Sequence, residues 1–246
     1  MQNTLSNSRK RKALGKSVKI LAIIILVLVI DQALKIWIKT NMAYGEEFKI
    51  LGLDWARIHF VENPGMAFGI TFGGDYGKLL LSLFRITAVG FLIYYIRQLI
   101  HSGAPFGLLA SFALILAGAI GNIIDSAFYG LIFSESSYHG GVAQLFSAEG
   151  GYAGFLHGRV VDMFYFPIYE GVLPRWIPFW GGEEVLFFRP VFNVADSSIT
   201  IGVLTILLFQ RSFFSSQKEE TTPPNASASV SASDHTDTPS TPTNPD

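Results

Sequence analysis

The chain alternates between long apolar runs and polar stretches, and the runs have the length of membrane spans. Apolar residues bunch around 18–38, 79–100, 105–124 and 197–214. Each run approaches the roughly 20 residues that an α-helix needs to cross a hydrocarbon core of about 30 Å. Four spanning helices are the simplest reading. The first run carries Asp31, Lys35 and Trp37 before ending near Ile38, so it spans if Lys35 snorkels outward. No small-x-small pattern follows it, which favours an uncleaved helix over a secretory signal peptide. Only about five residues, His101, Ser102 and Gly103 among them, separate the second and third runs, so these two form a tight antiparallel pair.

Two long stretches join the remaining helices. In 39–78, Ala56-Arg57-Ile58-His59-Phe60-Val61 alternates polar and apolar residues and then breaks at Asn63-Pro64-Gly65. That pattern predicts short strands and a turn, forming a small β-structure on the membrane. The stretch 126–195 is rich in Gly, Ser and aromatics, and loops of that length carry function or disorder. Trp55, Phe60, Phe68, Tyr165, Trp176 and Trp180 suit either headgroup anchoring or substrate contact. Residues 215–246, dominated by Pro, Ser, Thr, Asn and Ala, read as a disordered tail. The predicted fold is an all-α membrane bundle of four transmembrane helices over 18–214, with a small extracytoplasmic β-structure and loops at the outer surface.

Composition agrees with this picture and narrows the chemistry. Half of the 246 residues are apolar and 15% are charged, a balance too apolar for an ordinary soluble domain. The net charge is −1, and the basic cluster is confined to residues 1–17 (Arg9, Lys10, Arg11, Lys12, Lys16), so nothing offers a footprint for nucleic acid. That cluster places the N-terminus in the cytoplasm, and four spans return the C-terminus there, leaving both long loops outside. Without cysteine there are no disulfides, thiolate nucleophiles or thiolate metal sites, and reactivity falls to Asp, Glu, His, Ser, Lys or Asn.

Carboxylates near membrane depth are the informative residues, because burying one at the bilayer centre costs at least about 2.5–3.5 kcal/mol. Asp31, Asp125, Asp162 and Asp196 all fall near the outer surface in this topology. In the third run Ala117, Gly118 and Gly121 permit close helix packing. One turn further, Asn122 and Asp125 share a helical face at i and i+3, and Asn193 and Asp196 repeat the spacing before the last run. The repeat suits either a polar packing network or an active site.

Five segments in order decide how these residues are read: DQALK (Asp31–Lys35), NPGMAFG (Asn63–Gly69), GAIGNIID (Gly118–Asp125), GRVVDMF (Gly158–Phe164) and FNVADSSITIG (Phe192–Gly202). They resemble the bacterial lipoprotein signal peptidases, the signal peptidase II family, across most of residues 18–214. The resemblance implies an aspartic endopeptidase that needs no cofactor or metal, with Asp162 and Asp196 as the catalytic pair. Asp31, Asn63, Asn122, Asp125 and Asn193 would shape and support the site. It further implies a diacylglyceryl-modified prolipoprotein as substrate, cut on the amino side of its lipidated cysteine. The enzyme would be a monomer among the lipids of the bacterial inner membrane, its site facing the periplasm. A cation or proton transporter using the same carboxylates is the rival reading, and a non-catalytic scaffold is another.

Two departures from the family pattern stand out. Ser126 follows Asp125 where the family commonly has Arg, so Asp125 needs another cation; Arg85 is the first candidate and Arg159 the next, unless Arg85 snorkels to headgroups. The stretch between Asp125 and Asp162 is also long. Its Gly140-Gly141 and Gly150-Gly151 pairs suggest a hinged cover that influences access without supplying catalytic groups.

Overall fold

The computed structural model describes residues 2–64, 74–138, 141–167, 169–176, 178–187 and 190–210. The second part of the NPGMAFG segment, Phe68, Gly140 and the tail lie outside the described residues. Helix α1 (Gln2–Asn41) is followed by strands β1 (Glu47–Lys49) and β2 (Arg57–Asn63), then α2 (Gly74–His101) and α3 (Phe106–Ile124). Helix α3 runs on through a π-helical turn, Asp125–Tyr129, into the single turn α4 (Gly130–Ile132). Strands β3 (Val160–Tyr165), β4 (Tyr169–Val172), β5 (Glu184–Phe187) and β6 (Val191–Phe192) lead to α5 (Val194–Phe209).

Three helical stretches among the described residues are long and apolar enough to cross a membrane: Ala13–Asn41, Gly77–His101 and Phe106–Ile132. The fourth expected span is shorter. Helix α5 has 16 described residues, about 24 Å of rise. The third span is longer than expected, because the helix does not stop at Asp125 but absorbs an extra residue in the π turn and continues. Outward-facing Leu21, Ile25 and Leu26 on α1, Leu80, Phe84 and Phe91 on α2, and Leu204, Leu207 and Leu208 on α5 form an apolar belt. Lys16 donates to the carbonyls of Gly103 (3.1 Å) and Ala104 (2.6 Å), tying α1 to the α2–α3 turn.

Helix α3 is central, and its small residues are what let α5 in. A Cβ on Gly118 would meet the Ala195 carbonyl and the Ile199 side chain, and one on Gly202 would meet the Ser111 carbonyl. Backbones that approach this closely gain dispersion contacts that lipid does not offer. The expected β-structure is a four-stranded antiparallel sheet in the order β1-β2-β3-β6, with β4 and β5 forming a separate pair. The polar–apolar alternation of β2 sends Phe60 into a core with Ile38, Met42, Tyr129, Phe133, Val161 and Met163. Strand β3 is buried on both faces, which is why its run Val160-Val161 precedes a buried Asp162.

The insertion after Asp125 is anchored to this core at its two ends, while most of its described residues between them are exposed. Tyr152 donates its N–H to the Phe133 carbonyl (3.1 Å), Ala153 to Gly130 (2.9 Å) and Gly158 to Ser126 (2.8 Å). Gly151 presses so closely on the carbonyls of Gly130 and Leu131 that no side chain fits, so that glycine serves close approach and not motion. Ser136 is buried against the Lys39–Glu62 ion pair and donates to Glu62 (2.9 Å).

Packing of this kind makes a sharp prediction. Gly118→Ala should cost about 1–3 kcal/mol by forcing α3 from α5. Gly90→Ala, where nothing lies within 4 Å of the added methyl, should be neutral or stabilising by up to about 1 kcal/mol. Thermal unfolding in detergent would compare the two, and equal midpoints would refute the tight α3–α5 contact.

Candidate active site

Six of the seven polar residues singled out in the sequence meet in one network at the junction of α1, α3, β3 and α5. Its centre is Lys35, fully buried, with its ammonium 2.9 Å from Asp31, 2.8 Å from Asp125 and 2.9 Å from the Asn122 Oδ1. Three partners use all three N–H donors of an ammonium group. Lys35 therefore does not snorkel outward: the i, i+4 carboxylate on its own helix and Asp125 across the bundle hold it inside. Asp125 thus has Lys35 in direct contact, while Arg159 pairs with Glu62 (3.2 Å) and Glu135 (3.0 Å). Arg85, on α2, is coupled first to Asp196, then to Asp162 and Asp125.

The two carboxylates around Lys35 reach the elements that carry the other pair. Asp31 accepts the Ala195 N–H (2.9 Å) in the first turn of α5, where orphan donors and the helix dipole favour an anion. Asp125 accepts the Val161 N–H (3.2 Å), next to Asp162 in β3. Gln32 secures both by donating to Asp31 (3.1 Å) and Asp125 (2.9 Å), and its own carbonyl accepts from the Tyr129 hydroxyl (3.1 Å). Gly121 leaves room for this, since a Cβ there would fall 2.7 Å from an Asp31 oxygen. The π turn adds its part: Ser126 is buried with its hydroxyl donated to the Asn122 carbonyl (3.0 Å), and its carbonyl receives the Gly158 N–H.

Asn193 links the second pair of aspartates. It caps α5, its Oδ1 accepting the Asp196 N–H (2.9 Å) in a capping box with Asp196. Its Nδ2 donates to the Asp162 Oδ1 (2.7 Å) and lies near the Asn122 Oδ1 (3.2 Å). Asn122 in turn donates to the Asp196 Oδ1 (2.8 Å). The repeated Asn-x-x-Asp spacing thus places two amides between two carboxylates. The Asp162 carboxyl is pushed up to about 8, first by burial and then by the negative charge of Asp196, against the opposing pull of Lys35 and the Asn193 amide. Asn63 lies at the end of β2, opposite Val160 in the β2–β3 ladder.

Sequence reasoning missed Lys35 and Gln32 as members of the network, although the Asp31–Lys35 spacing of four was a visible signal. It also missed the second buried pair, Lys39 with Glu62, to which Ser136 is hydrogen-bonded. Among the described residues no cluster of His, Cys, Asp and Glu is arranged to hold a metal ion.

Long apolar helices, a small antiparallel sheet and a buried polar junction between them define the class: a helical membrane protein with a surface β-structure. A solved bacterial membrane enzyme has the same fold, with a TM-score of 0.50 and 22% identity over 85% of this chain and 94% of its own. The profile described as signal peptidase (SPase) II matches residues 23–213. The chain belongs to that family, and is therefore a protease of the membrane. The lipoprotein signal peptidase of Porphyromonas gingivalis is 57% identical over 76% of this chain and 80% of its own. That of Amoebophilus asiaticus is 41% identical over 78% of each chain, and that of Chlorobium phaeobacteroides 33% identical over 77% and 93%. These relationships do not favour the transporter reading.

Because Lys35 neutralises two buried carboxylates, Lys35→Met should destabilise the protein by about 3–5 kcal/mol. Adding Asp125→Asn should recover part of the loss, so a double-mutant cycle in detergent should show strong coupling. Additive effects would remove Lys35 from its central place.

Proposed function

We propose that the chain is an aspartic endopeptidase that removes the signal peptide from diacylglyceryl-modified prolipoproteins, cleaving on the amino side of the lipidated cysteine. Membership of the signal peptidase II family carries the reaction class, and the relatives are lipoprotein signal peptidases. The observation that supports the catalytic type is the pairing of Asp162 and Asp196 through Asn193, with the Asp162 carboxyl pushed up to about 8. Two nearby carboxyl groups do not both ionise readily, and so share a proton. On this reading Asp162 holds the resting proton and Asp196 is the base.

Asp196 takes a proton from water as its oxygen attacks the scissile carbonyl carbon, while Asp162 donates to the carbonyl oxygen. The tetrahedral diol then collapses: Asp196 gives its proton to the leaving nitrogen as the C–N bond breaks, a diol hydroxyl returns a proton to Asp162, and the new carboxyl terminus is released. Asn122 and Asn193 orient the two carboxyl groups; Asp31, Asp125 and Asn63 support the elements that bear them. In this proposal α5 makes a fourth crossing, residues 18–214 form the peptidase domain, and both termini lie in the cytoplasm. The enzyme acts as a monomer in the bacterial cytoplasmic membrane, with its site on the outer face and its lipid-anchored substrate arriving from the same bilayer.

Purified protein in detergent should cleave a diacylglyceryl prolipoprotein and leave the unlipidated precursor intact. Asp162→Asn and Asp196→Asn should each lower turnover by at least about 10²-fold; near-normal turnover by either would sink the pair. The rate of the parent should fall as pH rises through about 8, where Asp162 loses its proton.

The same shift has a signature in stability. Because the folded pKa of Asp162 lies above the unfolded value, the native state binds more protons between about pH 4 and 8, and its stability falls as pH rises through that window. Asp162→Asn removes this penalty, so its stability relative to the parent should grow from pH 4 to pH 8. A constant difference across that range would argue against the strained carboxyl.

A further inference from the structure

Between β3, which carries Asp162, and α5, which carries Asp196, the chain builds a hairpin that the peptidase reading leaves unused. Strands β4 and β5 pair antiparallel from Tyr169↔Phe187 to Val172↔Glu184, in a sheet of their own. The tip is closed by Leu173 and Glu183, with Leu173 N–H on the Glu183 carbonyl (2.9 Å) and Gly182 N–H on that of Leu173 (2.9 Å). A two-stranded hairpin is marginal in water unless something covers it.

Its tip presents aromatic side chains outward. Trp176 is 80% exposed, Phe179 97% and Trp180 62%, and the other two tryptophans of the chain, Trp37 and Trp55, are 49% and 61% exposed. A protein that leaves every tryptophan half-bare to water would be unusual. Phe179 also holds φ at 71°, a left-handed conformation that non-glycine residues rarely adopt. Leu51, just before Trp55, repeats the arrangement with φ at 51° and an almost fully exposed side chain. Backbone strain is thus spent on turning apolar groups away from the protein.

What covers them is indicated by their place in the fold. Trp37 lies in the last turns of α1, at the end of the bundle where Lys35 meets Asp31 and Asp125, and continues the outward apolar belt of that helix. Trp55 touches Phe166 (6.3 Å), and Phe166 touches Phe192 (5.6 Å), two residues before α5 begins. The foot of the hairpin therefore stands at the same end of the helices as Trp37. From Pro174 to Gly182 the tip carries one charge, Arg175, and rings with a flanking cation are the residues that settle in the headgroup zone.

We propose that the β4–β5 tip docks in the lipid headgroup region of the leaflet at the Asp196 end of the helices, tethering the segment between the two aspartates to the bilayer surface. The proposal rests on the membrane placement of the helices and not on the catalytic roles of Asp162 and Asp196.

The test uses full-length protein in phosphatidylethanolamine–phosphatidylglycerol vesicles doped with phosphatidylcholine brominated at successive acyl positions. In a Trp37→Phe, Trp55→Phe background, fluorescence reports Trp176 and Trp180 alone. Emission should be blue-shifted, protected from aqueous iodide, and quenched most by bromine placed nearest the headgroup. Water-like emission quenched by iodide and untouched by the brominated lipid would overturn the proposal. So would lipid quenching that arises only after a brominated lipoprotein substrate is added, since the substrate would then be the occupant. The chain has no native cysteine, so Phe179→Cys with a spin label gives a second reading of depth that spares the tryptophans. A label as accessible to a water-soluble relaxant as to oxygen would equally refute docking. Neither readout depends on turnover, so a failed peptidase assignment would leave this result intact.

Discussion

The junction of this molecule depends on one buried ammonium group. Lys35 touches Asp31 from its own helix and Asp125 and Asn122 from α3, and each contact hands its position on to another element. Asp31 holds the first turn of α5 and Asp125 holds β3. Isolated, any of these charges would be costly in a dry interior. Together they are mutually neutralised and hydrogen-bonded, which is the condition under which buried ions persist. The arrangement leaves little freedom: moving α5 or β3 would strip a carboxylate of its N–H partner.

Around that centre, geometry is set by what is absent as much as by what is present. Gly118, Gly121 and Gly202 remove the side chains that would separate α3 from α5 and from Asp31. The π turn at Asp125–Tyr129 frees a carbonyl at Ser126 that Gly158 satisfies, joining the helix to the start of the β3 segment. The insertion that follows α4 then closes over a second buried pair, Lys39 with Glu62, through Ser136, while Arg159 bridges Glu62 to Glu135. The long loop is thereby a structural wall beside the candidate site.

The contrast between the two halves of the network bears on its chemistry. Asp31 and Asp125 share a cation, whereas Asp162 has an amide donor, burial and a neighbouring negative charge. A buried carboxyl held in that way is less stable ionised than it would be in water, and perturbed groups of this sort gather where proton transfer is needed.

Much of this was legible in the sequence. Run lengths marked the helices, Ala117, Gly118 and Gly121 marked a close packing face, the alternation over residues 56–61 marked the strand, and the five segments marked the family. These are local signals: period, side-chain size and short spacing carry them. The ion pairs were not local. Lys35 with Asp125 and Lys39 with Glu62 join positions on different elements, and the register between packed elements leaves no trace in periodicity. Arg85 and Lys35 were equally available in sequence as cations for Asp125, and only helix packing shows Lys35 in contact with it. The same holds for Gly151, whose glycine pair resembled a hinge until Gly130 and Leu131 were found against it. The chain's own pattern determined which stretches are helical or extended; which charges are buried and which of them meet was decided by tertiary structure, because Coulomb and hydrogen-bond partners are selected by distance in space and not along the chain.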